Sequence, residues 1–401
     1  MCLCYDASMT KDNITITDQA YTSELAESIE IGITDFVDKF IATHAKKIEK
    51  FMISKDLWQS LGDFGLLGVQ APEVYGGLNQ SYSLQAKAIE QISQHSPAMG
   101  LSYLAHSHLC MHPIIQHGSP AQKDFWLPQL IKGKTIGAIA ISEPNAGSDA
   151  LAMKTTAELK KNHYYLNGQK IWITNGPDAG VAVVYANTNP KQKYRGITAF
   201  IVDLTKPGVT KSEPIEKLGM RGSKTGSLYF NNVKLSQDDV LGSVDEGLSI
   251  LMDGLNIERV MLSAGPLGIQ KSCLKTVLEY TAQREQFGKC LNQFQLTQAK
   301  IADMYTSIES SQAMLTEAFK RINENTLTNA YAASVYLHCS RAGVATSMEA
   351  IQLLGGNGYT EDYPVEMLMR DAKLFDIGGG TNEIRQMIIA KEIIKDFKNK
   401  L

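Results

Sequence analysis

Apolar positions along Gly247 to Tyr280 recur at helical spacing, and this stretch organises the reading of the whole chain. Leu251, Leu255, Glu258, Leu262, Gly265 and Ile269 fall three or four places apart on one face. All but Glu258 are apolar or Gly. Positions three and four away from it are Gly254, Leu255, Met261 and Leu262, so no ion pair can form within the helix, and Arg259, adjacent in sequence, points elsewhere. A carboxylate turned into an apolar layer loses hydration, and its pKa rises toward the range of a base working at neutral pH. The same stripe also accommodates a buried glutamate held by a backbone amide or by an arginine from another element.

The pattern divides the chain into three parts. Helical periodicity runs from about Thr22 to Lys134, through Ile31, Phe36, Phe40 and Ile41, through Leu57, Leu61 and Leu66, then Leu84 to Ile92 and Met99 to Ile115, with Gly76-Gly77 as a turn. Between about Gly137 and Leu241 the period shortens. His163 to Leu166 and Lys170 to Thr174, separated by Asn167-Gly168, predict a β-hairpin with a tight turn. Val181 to Tyr185, Ile197 to Val202 and Ser227 to Phe230 add strands without helical crossovers, which predicts an antiparallel sheet. Long helices return after Glu246, broken near Gln286 to Gly288, Gly355 to Gly358 and Gly378 to Gly380. The predicted class is α+β: an N-terminal helical domain (1–136), a central antiparallel β-barrel domain (137–245) and a C-terminal four-helix bundle (246–401).

Composition narrows the function classes. The chain has 401 residues, 44% hydrophobic and 20% charged, with a formal net charge of −3. That balance describes a globular chain and gives no electrostatic reason for nucleic acid or anionic lipid as the main partner. No apolar run has the length of a membrane span. Cys2, Cys4, Cys110, Cys273, Cys290 and Cys339 are scattered and read as reduced thiols. Asp12, Asp18, Glu24, Glu27 and Glu30 make the start acidic, unlike a signal or transit segment. The expectation is a bacterial cytoplasmic protein, or a trimmed mature form such as one in the mitochondrial matrix.

Several strings carry candidate chemistry. Ile139 to Asp149 (IAISEPNAGSD) places Pro, Asn, Gly, Ser and Asp in one loop, which suits either convergent ligand contacts or a plain polar turn. Trp172 and Thr174 alternate onto one face of a strand end, so a planar ring could lie beside the indole, although core packing is the commoner role of a strand Trp. Gln352 to Tyr359 and Ile377 to Glu383 set glycine clusters beside helices, where backbone must approach a phosphate or another chain. Neither is a dinucleotide fingerprint or a Walker loop. Arg221 to Ser227 precedes a strand and reads as a turn. His106, His108 and His112 lie close in sequence, with His108 and His112 on one helical face, but no further ligand completes a metal site.

Together, ISEPNAGSD, WITNGPDA, KLGMRGS, REQFG followed by FQL, LLGGNGY and DAKLFDIGGGTNEIR resemble the acyl-CoA dehydrogenase family, and within it the isovaleryl type, over roughly Ile33 to Lys391. The resemblance implies FAD between the β domain and the C-terminal helices of a homotetramer. It implies that Ile139, Ile141 and Ser142 meet the flavin pyrimidine, with Gly147 and Ser148 in the same loop. Trp172 would flank the isoalloxazine and Thr174 would reach its N5 region. Arg284, Gln295, Gln352, Gly355 and Gly356 would hold the ADP part of a neighbouring subunit's FAD, and Thr381 and Glu383 the chain's own. Of the family's two alternative base positions, one is Gly379 here and the other is Glu258. The implied reaction is removal of an α proton by Glu258 with hydride transfer from the β carbon to flavin N5. Gly378 and Gly379 would leave room for a branched acyl group, and electrons would pass to an electron-transferring flavoprotein.

Ser148, Tyr194, Arg195 and Arg259 match the resemblance's substrate positions. Leu104, Ser249 and Asn256 depart from it, at places where the isovaleryl type tends to have Gly, Tyr and Asp. The expected activity is dehydrogenation of a short, branched acyl-CoA. One alternative is dehydrogenation of an acyl or aminoacyl group on a carrier protein. Another is a catalytically silent flavoprotein with a binding role.

Overall fold

A computed structural model describes residues 24–399. The acidic start at Asp12 and Asp18, the helical onset at Thr22, and Cys2 and Cys4 lie outside them. The first part is helical: α1 (Glu24–Phe36), α2 (Ala42–Phe51), α3 (Lys55–Phe64), α4 (Tyr82–His95), α5 (Pro97–Leu104), α6 (Met111–His117) and α7 (Pro120–Ile131). Wider π-helical turns at Val37–Ile41 and Ala105–Cys110 join α1 to α2 and α5 to α6. Ser54, Ser81, Ser96 and Ser119 cap α3, α4, α5 and α7 by accepting N–H bonds that the first turn would otherwise leave open.

The middle part is one eight-stranded sheet: β1 (Gly137–Ala140), β2 (Thr156–Lys160), β3 (His163–Thr174), β4 (Val181–Asn187), β5 (Ile197–Asp203), β6 (Val209–Lys211), β7 (Thr225–Leu235) and β8 (Val240–Leu241). The order is β6-β7-β3-β2-β4-β5-β8, with β1 on β4. Two expectations are corrected. The sheet is neither wholly antiparallel nor a closed barrel, because β1 runs parallel to β4 and Thr156 pairs in parallel with Asn187. A parallel pair needs a long connection, and β2 plus β3 supply it here without a helix.

Asn167-Gly168 is not a hairpin turn. β3 continues straight through it, with a register shift between Leu166 and Gly168 against β7, and the hairpin turn lies at Lys161-Asn162 between β2 and β3. A Cβ on Gly168 would stand 2.4 Å from Thr155 Oγ1, so close packing against the residue that leads into β2, not a reversal, requires glycine there.

The C-terminal part contains α8 (Gly247–Gln283), α9 (Gln295–Asn323), α10 (Asn329–Leu354), α11 (Val365–Phe375) and α12 (Asn382–Lys398), so α11 adds a fifth helix to the predicted four. A two-stranded turn, β9 (Glu285–Gln286) with β10 (Lys289–Cys290), separates α8 from α9. One apolar core joins α3, α4 and α5 to α8, α9, α10 and α11, while smaller cores underlie the two faces of the sheet. Leu262, Gly265 and Ile269 are buried in α8, whereas Leu251, Leu255 and Glu258 are half-buried. The apolar stripe therefore seals the core at its C-terminal end and opens into space at its N-terminal end.

Candidate active site

That space is a cavity between α8 and the α5–α6 segment. Its walls carry Ile250, Leu251, Gly254 and Glu258 from α8, Ile139 from β1, Tyr185 from β4, and His108, His112 and His117. Glu258 accepts no hydrogen bond from, and forms no ion pair with, any other described residue. Burial pushes its carboxyl up to about 7, offset in part by the positive charge of Arg259. Arg259 is thus nearer electrically than its adjacent position suggests. Its Nη1 donates to Asn256 Oδ1 at 3.0 Å, and it does not lock onto Glu258.

The cavity meets the loop that follows β1. Ile139, Ile141 and Ser142 are half-buried, and Gly147 and Ser148 are exposed. A buried ion pair anchors this loop: Lys170 Nζ, fully buried on β3, lies 2.8 Å from Glu143 Oε1 and 3.0 Å from the Ile141 carbonyl. Glu143 also accepts from the amides of Lys154 at 2.6 Å and Thr155 at 3.0 Å. Burial opposes both charges, bringing Lys170 down to about 8. For Glu143 the lysine and the amides outweigh burial, and the carboxyl stays below its ordinary value.

Two positions after Lys170, Trp172 sits at φ +63°, inside a register shift between Lys170 and Ile173, and is 60% exposed. A bulky aromatic held in left-handed backbone and left open to solvent is what a face awaiting a planar ring looks like. Thr174 is half-buried two positions on, while Ile173 between them is buried.

The loop Ile377–Gly380 approaches α8 from the other side. A Cβ on Gly379, at φ +64°, would come within 2.5 Å of Leu262 Cδ1 and 3.1 Å of Tyr336 Cε1. Tyr336 Oη and Arg385 Nη2 donate to the Gly378 carbonyl at 2.9 and 2.7 Å, which fixes the loop. Thr381 caps α12 through the Ile384 amide, and Glu383 is exposed in the first turn.

Arg284, Gln295, Gln352, Gly355 and Gly356 are all exposed, and a Cβ on Gly355 or Gly356 would meet nothing within 4 Å. Large apolar side chains from the same segments stand in the open beside them: Phe287 (94%), Leu296 (81%) and Tyr359 (87%). Tyr194 and Arg195 are exposed on the turn before β5, and Ser249 is exposed in the first turn of α8. Leu104 is brought to none of these surfaces. It is buried in the main core together with Leu262. Among the described residues no His, Cys, Asp and Glu cluster has the arrangement of a metal site.

Sequence profiles of the acyl-CoA dehydrogenase N-terminal, middle and C-terminal domains match residues 23–134, 138–233 and 245–394. The chain belongs to the acyl-CoA dehydrogenase family. It is 44% identical over 368 residues to mitochondrial isovaleryl-CoA dehydrogenase of Solanum tuberosum, covering 91% of this chain and 89% of that one. The structure of butyryl-CoA dehydrogenase from Megasphaera elsdenii superposes with a TM-score of 0.89 at 34% identity, over 93% of this chain and 98% of the other. A prolyl acyl carrier protein oxidase, AnaB, superposes with 0.87 at 28%, over 92% and 99%.

Membership makes this chain an FAD-dependent oxidoreductase, and the exposed Trp172 face and the open glycines fit that cofactor. Acyl-CoA dehydrogenase chemistry needs a base, and the carboxylate on this cavity's wall is Glu258. Sequence reasoning missed His117, Tyr185, Ile250 and Gly254 on the cavity wall and the Lys170–Glu143 anchor. An isolated lysine in a strand of alternating pattern, at a position due to be buried, was the signal available for the anchor.

Proposed function

We propose that the chain dehydrogenates a short, branched acyl-CoA of the isovaleryl type to its trans-2-enoyl-CoA, with Glu258 as the base. One observation carries this reading: an unpaired carboxylate, raised to about 7, faces a cavity with Ile139 of β1, the strand that leads into the cofactor-side loop, on its wall. At that pKa the group is substantially ionised at neutral pH yet basic enough to take a weakly acidic proton from the carbon next to a thioester carbonyl. Bound FAD supplies the hydride acceptor. Glu258 holds the α proton, and the apolar walls from α8 exclude water that would otherwise solvate the carboxylate. The half-buried Gly378, where a Cβ would meet nothing nearer than 3.4 Å, presents no side chain, which supports a branched acyl group.

The same reading gives Ser148, Tyr194, Arg195, Ser249, Asn256 and Arg259 to the thioester's carrier arm. It gives Ile139, Ile141, Ser142, Gly147, Ser148, Trp172, Thr174, Thr381 and Glu383 to the chain's own flavin. Phe287, Leu296 and Tyr359 beside Arg284, Gln295 and Gln352 support a homotetramer in which a second copy covers this surface and shares its FAD there. An electron-transferring flavoprotein is the proposed acceptor, and the cytoplasm the proposed compartment.

A second reading, dehydrogenation of a carrier-protein-bound acyl or aminoacyl group, is favoured by the tie of Asn256 to Arg259 and by the similarity to the prolyl acyl carrier protein oxidase. Anaerobic titration separates the two. Bleaching of the flavin by isovaleryl-CoA supports the first reading, and bleaching only by a loaded carrier protein the second. A flavin left oxidised by both thioesters refutes both.

A further inference from the structure

The cavity that holds Glu258 has an unusual opposite wall. His108 and His112, four residues apart, stack with ring centroids 4.9 Å apart and planes inclined by 22°. Tyr82 closes their edges at 6.1 and 5.7 Å. His108 Nδ1 is 3.2 Å from Gln70 Oε1, so that nitrogen donates and the ring is oriented. His112 is 8% exposed, and its Nδ1 has no hydrogen-bond partner.

Burial lowers both histidines, His112 to about 4 and His108 well below its ordinary value; His112 further disfavours a charge on His108, and His117 one on His112. Both rings are therefore neutral at pH 7, and each carries one N–H donor and one lone pair. His117, at the end of α6 and on the wall of the same cavity, lies 3.9 Å from the exposed Asp253 of α8.

The facing position on α8 is Gly254, one turn before Glu258. A Cβ there would have His112 Cδ2, at 3.9 Å, as its nearest neighbour. Glycine inside a helix costs stability, and here it preserves a gap between the imidazole and α8. A wall built only for alkyl groups would not bury two imidazoles and leave one nitrogen unpartnered, because such a nitrogen loses water and gains nothing in return.

We propose that His112, oriented by its stack on His108, donates from Nε2, beside the Cδ2 edge that faces Gly254, to an oxygen of the thioester ligand in the cavity with Glu258, so that the site selects ligands with an oxygen acceptor at that point. This rests on the proposed dehydrogenase reading. The acceptor is either an oxygen of the acyl group itself, such as a hydroxyl, or the amide carbonyl of the carrier arm.

The holoenzyme and its His112→Leu and His112→Asn variants test this, once flavin content and thermal midpoint show each to be folded. Each is assayed with butanoyl-CoA and with 4-hydroxybutanoyl-CoA, which have equal carbon chains and differ in one oxygen. An acyl oxygen as the acceptor predicts that the wild type prefers the hydroxylated thioester and that His112→Leu lowers this preference about tenfold to a hundredfold, with Asn restoring much of it. An arm carbonyl as the acceptor predicts that Leu raises KM for both thioesters alike by about tenfold or more, with kcat little changed and Asn again restoring.

The proposal is overturned if Leu changes neither the ratio nor KM by more than about threefold, or if Asn and Leu fail equally, which marks a packing role. Dissociation constants for but-2-enoyl-CoA and its 4-hydroxy analogue, read from flavin absorbance, make the same comparison without turnover. A wild type that binds these but reduces with no thioester would refute the proposed activity alone. Binding that His112→Leu leaves unchanged for both would refute the histidine wall alone, and no binding of either would overturn both.

Discussion

Replacing Glu258 by Gln removes the proposed base while keeping size and shape. With the carboxyl at about 7, roughly one molecule in eleven is ionised at pH 6 and ten in eleven at pH 8, so the rate of flavin reduction should rise about tenfold between them. A carboxyl at the ordinary 4.5 would be almost fully ionised at both, and the profile would be flat. The assay is anaerobic stopped-flow at saturating thioester, which isolates the reductive half-reaction from reoxidation. Glu258→Gln should lower that rate by about 10²- to 10⁴-fold at pH 8.

The same raised pKa makes a stability statement of opposite sign. The folded protein binds the proton more tightly than the unfolded chain, so the wild type is penalised above about pH 7 and not below about 4.5. Holding the carboxyl from 4.5 up to about 7 corresponds to at most about 3 kcal/mol, so the Gln variant should be more stable than wild type at pH 8 by up to that amount. The advantage should vanish as the pH falls toward 4.5. A flat rate profile between pH 6 and 8, or a Gln variant that keeps a tenth of the activity, would refute the assignment.

Trp172→Gly relieves left-handed backbone and should leave the apoprotein as stable as wild type or about 1 kcal/mol more so, while FAD affinity falls about tenfold; equilibrium dialysis and thermal melts check both. Lys170→Met strands the Glu143 carboxylate and should cost about 3–5 kcal/mol in urea unfolding, together with flavin content. Adding Glu143→Gln, which removes the stranded charge, should recover about half of that loss. Moving the base, as in Glu258→Gly with Gly379→Glu, should restore no activity, because the new Cβ meets Leu262 Cδ1 at 2.5 Å in left-handed backbone. Trimming that neighbour with Leu262→Ala should let some activity return, measured as flavin bleaching.

What was legible in the sequence followed from short-range rules. The stripe from Leu251 to Ile269 is an amphipathic helix because its period is set by covalent geometry. The burial gradient along it was not legible, because that depends on what α5 and α6 place opposite. Asn167-Gly168 misled for the same reason. The dipeptide permits a tight turn, but it equally permits a strand to pass close to Thr155, and pairing with β7 along most of β3 decided between them. The parallel pairing of β1 with β4 is likewise a matter of how one domain feeds the next, which no local pattern encodes. Leu104 was assigned to a pocket by correspondence, yet it faces the core shared with Leu262.

His106, His108 and His112 lie close in sequence without completing a metal site, and the fold gives them separate duties. Gly137 donates its amide to His106 Nδ1 at 2.9 Å, which fixes the proton on Nε2 for the Leu130 carbonyl at 3.0 Å, so His106 ties β1 to α7. That tie sets where β1 begins, and Ile139 on β1 lines the same cavity as Glu258. His108 and His112 instead face Glu258 across the cavity, neutral and stacked. Burial that disfavours charge on the acid and on the two imidazoles is one physical cause acting on both walls. It raises the proposed base, and it keeps the two imidazoles from adding to the positive charge of Arg259, which already lowers that group in part. Positive charge on this wall would favour an ionised Glu258 and weaken it as the proposed base, so on that reading the dryness of the histidine wall helps keep the acid reactive.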